Sequence, residues 1–142
     1  MAPSGGFMYR FWKMTTVSII DDNRVAREAI ADLVNSLGYE VETYESAEDF
    51  LDCERLDQTS CLITDLQMPG LNGLDLQSHL KAHGQTMPVI FVSGFPEEKI
   101  RRRAMRAGAI GFLSKPFEEG ALIECLKTTL SPSAVKAGTS AV

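Results

Sequence analysis

Five polar residues close otherwise apolar stretches of this 142-residue chain. They are Asp21 and Asp22 after Val17-Ser18-Ile19-Ile20, Asp65 after Cys61-Leu62-Ile63-Thr64, Ser93 after Val89 to Val92, and Lys115 after Phe112-Leu113-Ser114. Three carboxylates brought together repel one another, and one or more would be pushed toward the neutral acid unless a cation intervenes. Hard oxygen donors with no His or Cys among them point to Mg²⁺. Lys115 adds a point positive charge suited to a phosphoryl oxygen, and Ser93 adds a hydroxyl donor. An aspartate nucleophile, a divalent cation and a lysine together make a phosphoryl-transfer site, where positioning and charge stabilisation supply most of the catalysis. Asp65 is the expected nucleophile, because the Pro69-Gly70 turn follows it closely. Taken singly, Asp21-Asp22 reads as a helix cap and Lys115 as an ordinary surface lysine. Their common position at strand ends is what makes a site.

Strands and helices must alternate to place these residues. Val17–Ile20 is a short β-branched strand, and Asn23 or Asp22 can cap a helix carrying Val25, Ala26, Ala29, Ile30, Leu33, Val34 and Leu37, stopped by Gly38. Tyr39–Tyr44 alternates, with Glu40 and Glu42 suiting an edge strand. Ser46 opens a short helix with Phe50 and Leu51 inward, and Arg55–Ser60 reads as loop. After the strand that ends at Asp65, Asn72 caps a helix ending near Gly84, and Pro88–Ser93 is a fourth strand. Pro96-Glu97-Glu98 opens a helix that stops at Gly108, with acids in the first turn where the helix dipole favours them. Ala109–Ser114 is a fifth strand, and a last helix runs from about Glu118 to Leu130. Strands that are apolar on both faces at Ile19, Ile63, Ile90 and Phe112 imply a parallel sheet covered by helices on each side, a doubly wound α/β domain.

Composition sets the class of partner. With 44% hydrophobic and 23% charged residues the chain is ordinary for one globular domain. A formal charge of -5 gives no reason to expect nucleic-acid binding by bulk electrostatics. No apolar run approaches the roughly 20 residues needed to cross a bilayer. Cys53, Cys61 and Cys125 form no CxxC or zinc-type spacing, so reduced thiols in a cytoplasmic protein are expected, with Cys61 and Cys125 in the core.

These pieces resemble the receiver domain of two-component response regulators. The matching residues are Ile20-Asp21-Asp22, Asp65-Leu66-Gln67-Met68-Pro69-Gly70 with Gly73, Val92-Ser93-Gly94, and Phe112-Leu113-Ser114-Lys115-Pro116-Phe117. The likeness covers about Val17 to Leu130 and points toward receivers that precede a LuxR-type DNA-binding domain, as in nitrogen-fixation regulators. It implies a flavodoxin-like fold with strand order 2-1-3-4-5. Residues 15–130 would be the receiver, with 1–14 a flexible extension, where Met14 offers a second start, and 131–142 a disordered tail. Further implications are a phosphoryl group on Asp65 taken from a histidine kinase or phosphotransfer protein, and Mg²⁺ held by Asp22, Asp65 and the Gln67 carbonyl with Asp21 acting through water. Lys115 and Ser93 would engage the phosphoryl group, Phe112 would be the switch aromatic, and Lys115-Pro116 a cis peptide. A surface of the fourth helix, fifth strand and fifth helix would then control a downstream protein, with a phosphorylation-dependent homodimer through the fourth helix and fifth strand. Too few residues follow Leu130 for a helix-turn-helix, so direct DNA binding by this chain is not expected.

A Mg²⁺-dependent phosphohydrolase with an aspartyl-phosphate intermediate is the rival reading. It needs an acid/base carboxylate two residues after the nucleophile, where this chain has Gln67, and a substrate cap for which little chain is left. A flavodoxin lacks support because no Ser/Thr/Gly-rich phosphate loop follows the first strand. His79 and His83 have the i, i+4 spacing of a zinc pair, but without a third ligand they read as exposed helical histidines. Arg101-Arg102-Arg103 reads as a solvated face that flanks the expected output surface, open to an acidic partner or a dimer contact.

Overall fold

A computed structural model describes residues 15–94 and 97–130. The expected extension, the expected tail and Pro96 lie outside the described residues. The strands are β1 (Thr16–Ile20), β2 (Glu40–Tyr44), β3 (Thr59–Asp65), β4 (Val89–Ser93) and β5 (Gly111–Ser114). The helices are α1 (Arg24–Ser36), α2 (Ala47–Asp52), α3 (Gly73–Ala82), α4 (Glu98–Arg106) and α5 (Glu119–Leu130). All neighbouring strands are parallel, in the order β2-β1-β3-β4-β5. The doubly wound architecture and its strand order are therefore as expected.

Local chemistry fixes where the helices begin. Asn23, Ser46 and Asn72 are N-caps whose side chains accept the backbone N–H groups of Ala26, Asp49 and Asp75. Each satisfies a donor that the first helical turn leaves without a partner. The sheet is packed on both faces. Phe50, Leu76, Leu80 and Ala104 from α2, α3 and α4 cover one side, together with Leu62 and Phe91. Ile30, Val34, Leu122 and Leu126 from α1 and α5 cover the other, over Val17, Ile63 and Ile90.

Two expectations are corrected. The third strand begins at Thr59, not at Cys61, and the expected loop contains a 3-10 turn at Leu56–Gln58. The reason is a buried pair of hydroxyls, Thr59 and Ser18, 2.8 Å apart, which lets polar residues extend the ladder. The fifth strand is shorter than expected; it is apolar on both faces, with Phe112 packed on one core cluster and Leu113 on the other, but only Gly111 is buried and those two are half-buried. It is an edge strand, so one side has no neighbour to bury it. Cys125 is likewise half-buried, while Cys61 lies in the core, where burial, with a lesser contribution from Cys125, pushes its thiol up to about 12.

Candidate functional site

Parallel strands with helical crossovers deliver every strand's carboxyl end to one edge of the sheet. At this edge β1 runs into Asp21 and Asp22, β3 ends at Asp65, β4 ends at Ser93 and β5 leads into Lys115. Carboxylate oxygens of Asp21, Asp22 and Asp65 all lie within 4.8 Å of one another. The Lys115 ammonium donates to Asp21 Oδ2 at 2.9 Å and to Asp65 Oδ2 at 3.1 Å. All four side chains thus meet, although they are separated by up to 94 positions in sequence.

Each group is held by its own element. Asp21 is 1% exposed; its Oδ1 accepts the Asn23 N–H at 2.9 Å, and its carbonyl accepts Arg27 Nη1 at 2.8 Å. Asp22, next in the chain, is exposed and is the carboxylate nearest solvent. Asp65 Oδ1 accepts two backbone N–H groups, from Leu66 at 2.6 Å and Gln67 at 3.3 Å. With Lys115 on Oδ2, both oxygens are fixed, so the carboxylate has a set orientation. The Lys115 backbone N–H donates to the Ser93 carbonyl at 2.7 Å, which ties the lysine to the end of β4. The Lys115-Pro116 peptide is cis, as the resemblance implied. Ser93 is fully buried, and Phe112 is half-buried with its ring centroid 6.1 Å from that of Phe91.

Electrostatics follow from crowding. Burial raises the Asp65 carboxyl above the usual aspartate range; Lys115 pulls it down by hydrogen bond and charge, Asp21 pushes it up, and the Gln67 amide lowers it, with a net rise. Burial alone would lower the Lys115 ammonium, but the hydrogen bonds and charges of Asp21 and Asp65 outweigh it and hold it above the usual lysine range. Three carboxylates against one ammonium leave an excess of two negative charges. A divalent cation that prefers oxygen would balance that excess, so the donor set fits Mg²⁺.

Two contributors escape a reading by strand ends. Arg27 braces the β1–α1 turn through the Asp21 carbonyl, and Glu48 of α2 accepts the Leu71 N–H at 2.9 Å, clamping the loop after Asp65. Neither had a sequence signal, because both act through backbone groups distant in sequence or hidden within a helix pattern. Gly73 had one, as part of the motif. A Cβ there would stand 2.6 Å from the Asp65 carbonyl oxygen and 2.9 Å from the Phe91 ring, so only glycine lets α3 start this close to Asp65. His79 and His83 stack, with centroids 4.1 Å apart, on the exposed end of α3 and take no part in the site.

The sequence model of the response regulator receiver domain matches residues 17–127. The chain belongs to the response regulator receiver family. Receivers are signalling domains of two-component systems, and relatives of this one agree with that. The response regulator protein TodT of Pseudomonas putida is 37% identical over 118 residues, spanning 83% of this chain and 52% of its own. The transcriptional regulatory protein FixJ of Azorhizobium caulinodans is 39% identical over 118 residues, spanning 83% of this chain and 56% of its own. Among solved structures, the response regulator StyR superimposes with a TM-score of 0.77 at 39% identity, covering 89% of this receiver and 64% of that chain. The receiver spans about half the length of the curated relatives it matches. Among its described residues, no helix is long and apolar enough to cross a membrane.

Proposed function

We propose that this receiver takes a phosphoryl group onto Asp65 from a phosphohistidine on a sensor kinase or phosphotransfer protein, in the cytoplasm, and that the modified form controls a protein partner. The observation that carries this reading is the Lys115 ammonium shared between Asp21 and Asp65 beside Asp22. Asp21, Asp22, Asp65 and the Gln67 carbonyl are the groups that would hold Mg²⁺. When bound, the ion supplies positive charge against the oxygens of the incoming phosphoryl group.

The chain's own residues do the rest. The Asp65 carboxylate, oriented by the Leu66 and Gln67 N–H groups, attacks phosphorus as the phosphorus–nitrogen bond to the donor imidazole breaks. The bonding pair leaves with the imidazole nitrogen, and Asp65 becomes an acyl phosphate. Lys115 exchanges its bond to Asp65 Oδ2 for a phosphoryl oxygen while keeping Asp21. Ser93 turns its hydroxyl to another phosphoryl oxygen, and Phe112 on the neighbouring strand moves into the space behind it. Phosphorylation adds about -1.5 to -2 charge to a site that is already acidic. The response is carried to α4, β5 and α5, where a coupling of about 1–3 kcal/mol changes partner affinity roughly 5–150-fold. A homodimer through α4 and β5 is one form that response can take.

Incubation with Mg²⁺ and acetyl phosphate, followed by intact-mass measurement, tests the proposal. One alkali-labile phosphoryl adduct is expected, absent in Asp65→Asn and absent after chelation of the metal. No adduct from acetyl phosphate or from a panel of kinases, or an adduct that survives Asp65→Asn, would overturn it. Multiple-turnover release of phosphate from a metabolite would replace it with the hydrolase reading.

A further inference from the structure

Helix α4 carries five cations and one carboxylate in nine residues, in a chain whose net charge is -5. Four of the cations, Lys99, Arg102, Arg103 and Arg106, fall at i, i+3, i+4 and i+7, which is one face of a helix. Among the described residues, these four line a surface depression of about 350 Å³. All four are exposed. Glu98 is already engaged: it accepts from Arg101 at 3.0 and 2.9 Å and from Arg102 at 3.3 Å. Among the described residues no carboxylate pairs with Lys99, Arg103 or Arg106.

Folding alone does not explain this face. Like charges three and four residues apart repel on a helix. The dipole favours Arg103 and Arg106 in the last turn but disfavours Lys99 in the first. The helix is otherwise thinly anchored, with Ala104 its one fully buried residue among the described ones and Ile100 half-buried against the core. Met105, beside the stripe, and Ile110, just beyond the helix, are two of the exposed large apolar side chains.

We propose that this stripe is a docking site for a carboxylate-rich segment of a partner protein. Three of its four cations are arginines, whose planar fork grips a carboxylate with two parallel hydrogen bonds. Seven residues of helix span roughly 10 Å, close to the Debye length at physiological salt. A short acidic segment therefore senses the local cations and little else. A duplex nucleic acid is different: it carries a charge every ~1.7 Å and extends past the stripe onto a surface that is net acidic, so it is repelled overall. Met105 supplies an apolar contact beside the charged grip. The inference names the partner chemistry of the surface invoked above, and its control by phosphorylation rests on that reading; the docking itself does not.

Fluorescence anisotropy with the full chain tests it, using a fluorescein-labelled Glu-rich peptide, its Gln counterpart and a short unrelated DNA duplex as probes. The Glu peptide is expected to bind without any phosphodonor, to weaken as salt rises, and to perturb amide NMR signals of residues 99–106. Arg103→Glu/Arg106→Glu should weaken it by roughly tenfold or more, the milder Arg103→Gln/Arg106→Gln by less, and Arg101→Gln hardly at all. Absence of binding, NMR changes centred elsewhere, indifference to the charge reversals, or equal affinity for DNA would each overturn the proposal. Acetyl phosphate labelling of Asp65 in the same samples separates the two readings, since either result can fail while the other holds.

Discussion

Lys115 is the residue on which the site's charge balance depends. Removing its ammonium in Lys115→Met leaves Asp21 and Asp65 facing each other. Loss of one partner from a fully buried pair costs about 3–5 kcal/mol, but this lysine side chain is 24% exposed, so about 1–3 kcal/mol is expected in Mg²⁺-free protein at neutral pH. Urea unfolding measures it, and saturating Mg²⁺ should reduce the deficit. Because the folded ammonium is held above its usual range, its contribution is complete below that range and disappears only as pH rises through the folded value. Asp65 has the same sign but titrates in the acid range. Its carboxyl is raised by burial, so the native state binds the proton more tightly than the unfolded chain, and metal-free stability falls as pH climbs from the ordinary aspartate range through the raised value. Asp65→Asn should therefore unfold at higher urea than the wild type at neutral pH without Mg²⁺, while losing the phosphoryl adduct. An unchanged or lower midpoint would contradict that. These residues were legible as a set because each ends an apolar strand. The bracing by Arg27 and Glu48 was not, since a guanidinium on a carbonyl and a carboxylate on an amide leave no mark on hydrophobic periodicity.

At the scale of elements, the turn between β3 and α3 concentrates the constraints. It holds Gly70 at φ +78, accepts the Glu48 clamp at Leu71 and starts α3 at Gly73, against the Asp65 carbonyl. Gly73→Ala forces a methyl into backbone rather than into a yielding side chain, an overpacking expected to cost about 1–3 kcal/mol in urea unfolding. The same change should slow labelling of Asp65 by acetyl phosphate, whereas a purely global effect would leave the labelling rate of the folded fraction intact. Helix starts were legible because Asn23, Ser46 and Asn72 cap as their side chains allow. Strand β3 was read short because Thr59 and Ser60 look like loop until Ser18 is seen to meet Thr59. Strand β5 was read too long, and its partial burial was not foreseen, because a sequence pattern does not distinguish an edge from an interior strand when the local residues are Phe and Leu.

For the molecule as a whole, alternation of strand and helix leads to a doubly wound sheet, yet the order β2-β1-β3-β4-β5 is not contained in that alternation. Several orders bury the same strands, and the resemblance supplied the choice. Once the order is known, the edge positions of β2 and β5 and the meeting of Asp21 with Lys115 follow from it. The parallel connectivity has another consequence, at the end of the sheet away from the carboxylates. There the chain turns at Gly38, Gly84 and Gly108, each with a positive φ and nothing within 4 Å of where a Cβ would stand. The molecule therefore has a pole that carries the carboxylate cluster and a permissive one, and new sequence can be spliced into the second without disturbing the first. A small reporter tag inserted after Gly84 should leave Asp65 labelling by acetyl phosphate within about twofold of wild type, because the turn sits on the surface and the insert's entropy grows only slowly with length. The same separation makes the far turns a handle for tethering the protein to a surface with its chemistry facing outward.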